Sequence, residues 1–247
     1  MRPPSCPLVN LKLTLEYDGS GFRGWARQPG LRTVEGTLRD GLDAVFPHWD
    51  RLAVAGRTDT GVHATGQVAS VRVERGPAAD RVAEALNAVL PDDVDVVAAE
   101  EAPDDFHARF SATSRSYRYR VRTTRSALDG RRALWWPRPL DVDALNAAAA
   151  LLHGEHDFRA FTPTDTQHEV FRRNVLAAAW ELDGDRLDFT VTADSFLRHM
   201  VRTLVGTMLE AGARAPDRIE RLLDGAARSE AGLTAPAHGL YLERVRY

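Results

Sequence analysis

The chain has 247 residues, of which 44% are apolar and 27% are charged, with a formal net charge of −3. That length suits one large domain or two small ones around a buried core, and no apolar run approaches the roughly 18 residues of a membrane span. The N-terminus lacks the pattern of a secretory signal, and a single Cys6 can form neither an internal disulfide nor a cysteine metal cluster, so we expect a cytoplasmic protein.

The charges are strongly segregated along the chain. Between residues 109 and 138 there are nine arginines and one acid, Asp129, whereas residues 80–105 carry nine acids and one arginine, Arg81. One face of the protein can therefore be basic although the total charge is negative. The net charge argues only weakly against a nucleic-acid partner.

The first elements are predicted from their periodicity. Residues 9–17 alternate apolar and polar side chains, which predicts a half-buried strand. The glycine-rich turn at residues 18–25 lacks the spacing of a nucleotide-binding loop. Thr33 then caps a helix with an apolar stripe that ends near Phe46, and with the strand that follows we expect a β-α-β unit.

The most informative stretch surrounds Asp59. An apolar run at residues 52–55 predicts a buried strand that ends at Gly56, and a second strand is expected near Gln67. Glycines at 56 and 61 let the backbone turn on both sides of Asp59 and place its carboxylate at the rim of a sheet. Taken alone, these residues are more simply explained as an ordinary turn in which Asp59 caps the backbone or pairs with Arg57.

The middle of the chain continues this alternation of helices and strands. A helix is expected from Asp80 to a stop at Pro91. In residues 114–122, Tyr117 and Tyr119 share one face of a predicted strand, and Arg118 and Arg120 lie on the other. An amphipathic strand with core tyrosines is the simpler interpretation of this pattern.

Three further elements complete the prediction. Asp141 is expected to start a helix, and the Asp-Gly-Asp sequence at residues 183–185 predicts a hairpin. A helix over residues 195–212 would place Arg198 and Arg202, four residues apart, on one side. The eight histidines are scattered without metal-binding spacing, so we expect no metal.

Six motifs, in order along nearly the whole chain, resemble those of the tRNA pseudouridine synthase A family (the TruA type). They lie at residues 16–28 (EYDGSGFRGWARQ), 55–64 (AGRTDTGVHA), 106–112 (FHARFSA), 115–119 (RSYRY), 200–206 (MVRTLVG) and 234–242 (TAPAHGLYL). The chain departs from the usual pattern at Ala26, Thr60 and Thr203, where the family has Gln, Ala and Asn.

The resemblance implies an α+β fold of the pseudouridine synthase type. Two similar halves, residues 1–104 and 105–247, would share a long mixed, mainly antiparallel sheet with flanking helices and a central cleft. It implies isomerisation of uridine to pseudouridine in the anticodon stem-loop of tRNA, at positions 38, 39 and 40, by a homodimer that needs no cofactor.

The resemblance also implies roles for particular residues. Asp59 would be the catalytic carboxylate, Tyr117 would lie against the target base, and Arg202 would pair with the catalytic Asp. A uracil can stack on a phenol ring, and the phenol oxygen can take part in proton transfer. The residues expected to bind the RNA substrate are Arg57, which would fill the gap left by the flipped nucleotide, and Arg118, Arg120, Arg198 and Leu240.

Two other functions remain open at this point. A non-catalytic RNA-binding protein would explain the arginine strand but would not require Asp59. A carboxylate glycosidase would need a second carboxylate across its cleft, and the motifs offer none. The sequence also leaves open whether Asp59 attacks covalently or removes the ribose C2′ proton to give a glycal.

Overall fold

The computed structural model of the protein describes residues 8–166 and 168–247, so Cys6 lies outside the described residues. Its α-helices and β-strands are, in chain order, β1 (Val9–Tyr17), α1 (Val34–Val45), β2 (His48–Val54), β3 (His63–Glu74), α2 (Ala79–Asn87), β4 (Val94–Glu101), β5 (Ser114–Arg122), β6 (Leu134–Trp135), α3 (Val142–Ala150), β7 (Gly154–Asp157), β8 (Arg172–Asp183), β9 (Arg186–Ala193), α4 (Met200–Ala211), α5 (Ala215–Leu223) and β10 (Leu240–Arg246).

The chain forms two compact units. The first unit runs to Thr113 and includes Leu242–Tyr247 at the end of the chain, and the second unit is Ser114–Tyr241. The last six residues of the chain therefore pack with its beginning. In the first unit this is visible where the Thr113 amide donates to the Arg246 carbonyl at 2.8 Å.

The sheet of the first unit is built on β3. Strand β1 lies antiparallel between β4 and β3, and β2 pairs antiparallel with the second half of β3. The core is formed by the inward face of β1, with Leu11, Leu13 and Leu15, and by β3, where residues 66–71 are all buried. The alternation predicted for residues 9–17 is confirmed.

One expectation for this unit is confirmed and one is wrong. Strands β1 and β2 are parallel to each other and are joined through α1, which makes the expected β-α-β unit, although β3 lies between the two strands in the sheet. Strand β2 begins at His48 and none of its residues is fully buried. Within the described part of the chain its one sheet neighbour is β3, and an apolar run alone does not distinguish such a partly exposed strand from a central one.

The helices of the first unit differ in how well their ends are predicted. Thr33 caps α1 as expected, since its hydroxyl accepts from the Gly36 amide at 3.2 Å. Helix α2 begins one residue before Asp80, which lies in the first turn, and it ends at Asn87. The side chain of its last residue, Asn87, binds both the amide and the carbonyl of Val96.

The sheet of the second unit runs β5, β9, β8, β7, with all three pairings antiparallel, and β6 adds a short parallel pair to β5. The hairpin between β8 and β9 turns at residues 184–185, as predicted. Helices α3, α4 and α5 pack on one another, and α3 and α4 also contact this sheet. Both units thus combine a mainly antiparallel sheet with helices, which confirms the α+β class.

Helix α4 begins at Met200, five residues later than the sequence predicts. His199 has a left-handed backbone with φ of 62°, which a right-handed helix does not accommodate. Residues 195–199 form a separate turn, in which the Arg198 carbonyl accepts a hydrogen bond from the Thr162 hydroxyl at 2.9 Å. The prediction that Arg198 and Arg202 share one helix face is therefore wrong.

Within residues 8–166 and 168–247, no helix combines the length and apolar character that crossing a bilayer requires. The same residues contain no cluster of three His, Cys, Asp or Glu side chains with the geometry of a metal site.

Candidate active site

Asp59 lies in a tight turn between β2 and β3 in the first unit. The Val62 amide donates to the Asp59 carbonyl at 3.1 Å, and Gly61 has a positive φ of 80°, so residues 59–62 form the turn predicted around the glycines. The side chain of Asp59 is half-buried, and it interacts with other residues of the protein.

The residues on either side of Asp59 have opposite exposure. Thr58 is only 7% exposed, and its hydroxyl lies 2.8 Å from the Tyr17 hydroxyl. Arg57 and Thr60 are exposed. Among the described residues, Arg57 has no hydrogen-bond or ion-pair partner, so its guanidinium is presented to solvent beside Asp59.

Tyr117, in the second unit, is nearly buried on the inner face of β5. Its exposed fraction is 9%, and its ring meets the ring of Phe196 edge-on, with centroids 4.9 Å apart. Phe196 belongs to the turn before α4. The inner face of β5 carries Tyr117, Tyr119 and Val121, as the alternation of the sequence predicts.

Arg202 lies on the first turn of α4 and is bound to the segment before β10. Its Nε donates to the Ala235 carbonyl at 2.8 Å, and its own carbonyl accepts from the Ala235 amide at 3.0 Å. The Tyr119 hydroxyl donates to the next carbonyl, that of Pro236, at 2.7 Å. Residues 235–236 therefore connect the helix that carries Arg202 with the strand that carries Tyr117.

The charge of Arg202 acts on two neighbouring groups. Burial raises the pKa of Tyr119, which Arg202 partly opposes, so this phenol keeps its proton and its donor role. Burial also lowers the pKa of His238. A hydrogen bond with the backbone of Ala133 opposes this shift, and the positive charge of Arg202 adds to it. Leu240 is 6% exposed and begins β10 directly after Gly239, which lies against the Tyr119 ring.

The arginines on the outer face of β5 are engaged within the protein. Arg118 pairs with Asp188 at 3.0 Å, and the guanidinium of Arg120 lies 4.1 Å from the Tyr241 ring centroid. Arg122 pairs with two carboxylates of neighbouring loops. The alternation of the strand is confirmed, and each of these side chains is only partly exposed.

Arg198 lies in the turn before α4, where its side chain is 49% exposed and 3.6 Å from the Asp165 carboxylate. Its carbonyl is bound by Thr162. Arg198 is therefore associated with the segment at residues 162–165 and not with a helix face shared with Arg202.

Sequence reasoning missed the polar residues beneath the Asp59 turn. Tyr17, Thr58 and Gln67 are all buried and hydrogen-bonded to one another or to the turn. Gln67 carried one signal, because it is a polar residue within the apolar run of a central strand. Tyr17 and Thr58 lie within the motifs at residues 16–28 and 55–64, but nothing in either motif indicates that their hydroxyls meet.

Comparison with known proteins identifies relatives over nearly the whole chain. A family model described as tRNA pseudouridine synthase matches residues 14–111 and 148–247. The tRNA pseudouridine synthase A of Geobacillus kaustophilus is 43% identical over 242 residues, which cover 96% of this chain and 94% of that protein. The enzyme of the same name from Moorella thermoacetica is 44% identical, and the alignment covers 96% of this chain and 99% of that protein. The one from Bacillus subtilis is 41% identical, and the alignment covers 97% of this chain and 99% of that protein.

Proposed function

The chain belongs to the tRNA pseudouridine synthase family, a family of isomerases, and we propose that it acts on the anticodon stem-loop of tRNA with Asp59 as its catalytic carboxylate. By resemblance, its targets are the uridines at positions 38, 39 and 40. We place the reaction in the cytoplasm, where tRNA is modified.

The observation that carries the role of Asp59 is the construction of its turn. The motif that resembles the family signature spans residues 55–64, and within it the backbone beside Asp59 is held by a buried threonine. The exposed Arg57 and the half-buried Asp59 lie on either side of that anchor. A fixed carboxylate with an exposed cation two residues away suits a reaction on a polyanion.

The reaction rearranges bonds within one nucleotide. The bond from ribose C1′ to uracil N1 breaks, the base rotates, and a bond from C1′ to C5 forms, while C5 releases a proton and N1 gains one. Substrate and product are isomers, so the atoms balance without a co-reactant. An ionised carboxylate can serve this chemistry as a nucleophile or as a base at the ribose C2′ proton.

Other residues are proposed to hold the substrate. We assign Arg57 to the gap left by the flipped nucleotide, since extruding a base from a stem costs a few kcal/mol. Tyr117 is proposed to face the target uracil, and Arg202 to supply the positive partner of the Asp59 carboxylate when RNA excludes water. Arg118, Arg120, Arg198 and Leu240 are proposed to contact the tRNA, and the working enzyme is proposed to be a homodimer.

Product analysis tests this function against its two rivals. Purified protein is incubated with tRNA transcripts in the absence of metal and nucleotide, and the nucleosides are separated and mapped. Pseudouridine confined to positions 38, 39 and 40 supports the proposal. Free uracil would indicate a glycosidase, and unchanged tRNA that is nevertheless bound would indicate a binding protein.

A further inference from the structure

Three polar side chains are buried together beneath the Asp59 turn. The exposed fractions of Tyr17, Thr58 and Gln67 are 2%, 7% and 0%. Burying polar groups in a sheet is costly unless each finds a partner. Here all three are satisfied, and two of their bonds reach the segment that leads into the turn, at Gly56 and at Thr58.

The hydrogen bonds of this group link the three side chains to the backbone near the turn. The Gln67 amide nitrogen donates to the Gly56 carbonyl at 2.7 Å and to the Tyr17 hydroxyl at 3.3 Å, while its oxygen accepts from the Val68 amide. The Tyr17 and Thr58 hydroxyls share a hydrogen bond of 2.8 Å in which either oxygen can donate. Burial raises the pKa of Tyr17 to about 12, so the phenol stays protonated at neutral pH and the bond joins two neutral hydroxyls.

The turn is also held from its other side by the loop after β1. The Trp25 amide donates to the Thr58 carbonyl at 2.9 Å. Gly24 has a φ of +86°, and a Cβ there would lie 2.8 Å from the Thr58 oxygen and 3.2 Å from the Asp59 carbonyl carbon. The loop backbone is thus in direct contact with the backbone of residues 58–59, at a distance that only glycine permits.

This loop is itself fixed at its outer end. The Arg32 guanidinium makes two hydrogen bonds of 2.7 Å to the Asp93 carboxylate and lies 4.1 Å from the Phe22 ring centroid. The Asp18 amide donates to the Asp93 carbonyl at 3.1 Å. A bidentate pair of this kind restricts both partners, so the loop provides a rigid support for the turn.

We propose that Tyr17 and Thr58 are positioning residues for Asp59, which fix the backbone from which the carboxylate extends. The inference rests on the proposed function, because positioning has meaning only if Asp59 acts on a substrate. Neither side chain is assigned contact with RNA. Their effect is exerted through the hydrogen bond between the two hydroxyls and through the peptide that joins Thr58 to Asp59.

The test is a pair of conservative variants measured for turnover and for binding. Thr58→Val keeps the branched shape and removes the hydroxyl, and Tyr17→Phe removes the other partner. Since a displacement of about 1 Å in a reacting group costs about 100-fold in rate, we expect kcat to fall at least about tenfold in each. KM and the Kd for tRNA should stay within about twofold of the wild type.

Two controls separate positioning from general stability. Thr58→Ser restores the hydroxyl and should restore kcat. Ser70→Ala removes an equally buried hydroxyl of the first unit, one that accepts from the Ala108 amide at 3.1 Å, and should lower the melting temperature while keeping kcat. Should Thr58→Val fail to fold, Tyr17→Phe carries the test.

The inference is overturned if both variants keep the wild-type kcat, or if Ser70→Ala loses as much kcat as they do. These outcomes are distinct from a failure of the proposed function. In that case the wild-type protein itself would form no pseudouridine.

Discussion

Asp59 owes its fixed position to the residue before it. Thr58 is buried and bonded on both its side chain and its carbonyl, so the peptide between Thr58 and Asp59 has little freedom. The adjacent Arg57 is exposed and has no partner among the described residues. Alternation of buried and exposed residues within a single turn thus produces a rigid carboxylate beside a solvent-exposed cation.

Tyr117 offers a test of what its hydroxyl contributes. Tyr117→Phe keeps the ring and its edge-on contact with Phe196, so we expect the melting temperature to change little. If the phenol takes part in proton transfer, kcat should fall about 100-fold, within the range of general acid–base catalysis, with KM little changed. Steady-state kinetics on tRNA transcripts make the measurement. Full turnover by the Tyr117→Phe variant would reduce the role of the side chain to stacking.

The motifs predicted Asp59 and Tyr117 as site residues, but they did not predict the contact between Tyr17 and Thr58, although both of these residues also lie within motifs. Asp59 and Tyr117 were identified from short runs of sequence, and both lie on the turn and the strand face expected for them. Tyr17 and Thr58 are separated by 41 residues, and their contact depends on how β1 meets the loop after β2. Local periodicity contains no information on such a pairing.

At the scale of elements, the loop between β1 and α1 is expected to control the turn that it supports. Gly24→Ala should lower kcat at least about tenfold, because the new Cβ would meet the Thr58 carbonyl at 2.8 Å and the backbone is left-handed there. Gly30→Ala is the matched control. Its φ of +71° is equally unfavourable for alanine, but no atom of the described residues that are not its chain neighbours lies within 4 Å of the added Cβ.

Kinetics and thermal melting of these two variants separate backbone strain from displacement of the turn. Both should lose some stability. Equal loss of turnover in the two would contradict the supporting role of the loop, because it would show that strain alone reduces activity.

The arginine face of β5 gives a second prediction at this scale. If Arg118 and Arg120 contact phosphates, each Arg→Gln change should reduce the slope of log K against log salt concentration by about one. Because Arg118 pairs with Asp188, the Arg118→Gln change is made together with Asp188→Asn to avoid leaving an unpaired carboxylate. Binding titrations at several salt concentrations measure the slopes. Unchanged slopes would assign these arginines to the folding of the second unit alone.

Elements were predictable where caps and periodicity agreed. Thr33 and Asp141 cap α1 and α3, and each hydroxyl or carboxylate makes the expected bond. The start of α4 was not predictable, because residues 195–199 have helical periodicity but His199 adopts a left-handed backbone. Packing of Leu197 and the bond from Thr162 to Arg198 favour the turn there, and both are tertiary contacts.

For the whole molecule, the proposed homodimer is open to direct measurement. Light scattering coupled to size-exclusion chromatography should give a mass about twice the 27.3 kDa of one chain. The value should be independent of concentration in the micromolar range if the subunits form a stable dimer. A mass of one chain at all concentrations would contradict this part of the proposal.

The fold class and the family were predictable from the sequence because the motifs extend along nearly its full length. The return of residues 242–247 to the first unit was not predictable, since no local pattern indicates which unit a terminal strand joins. The predicted division at residue 104 concerned two similar halves, and their similarity stays a prediction. The compact units divide after Thr113, and residues 242–247 belong to the first unit.

The central claim is that the Asp59 carboxylate isomerises uridine in tRNA, and release of tritium from uracil C5 tests it most directly. tRNA labelled at that position is incubated, at a saturating tRNA concentration and without metal or nucleotide, with the wild-type protein and separately with the Asp59→Asn variant. We expect release by the wild type and none above background by the variant, although both bind tRNA with the same Kd. Release by Asp59→Asn at the wild-type rate would contradict the account.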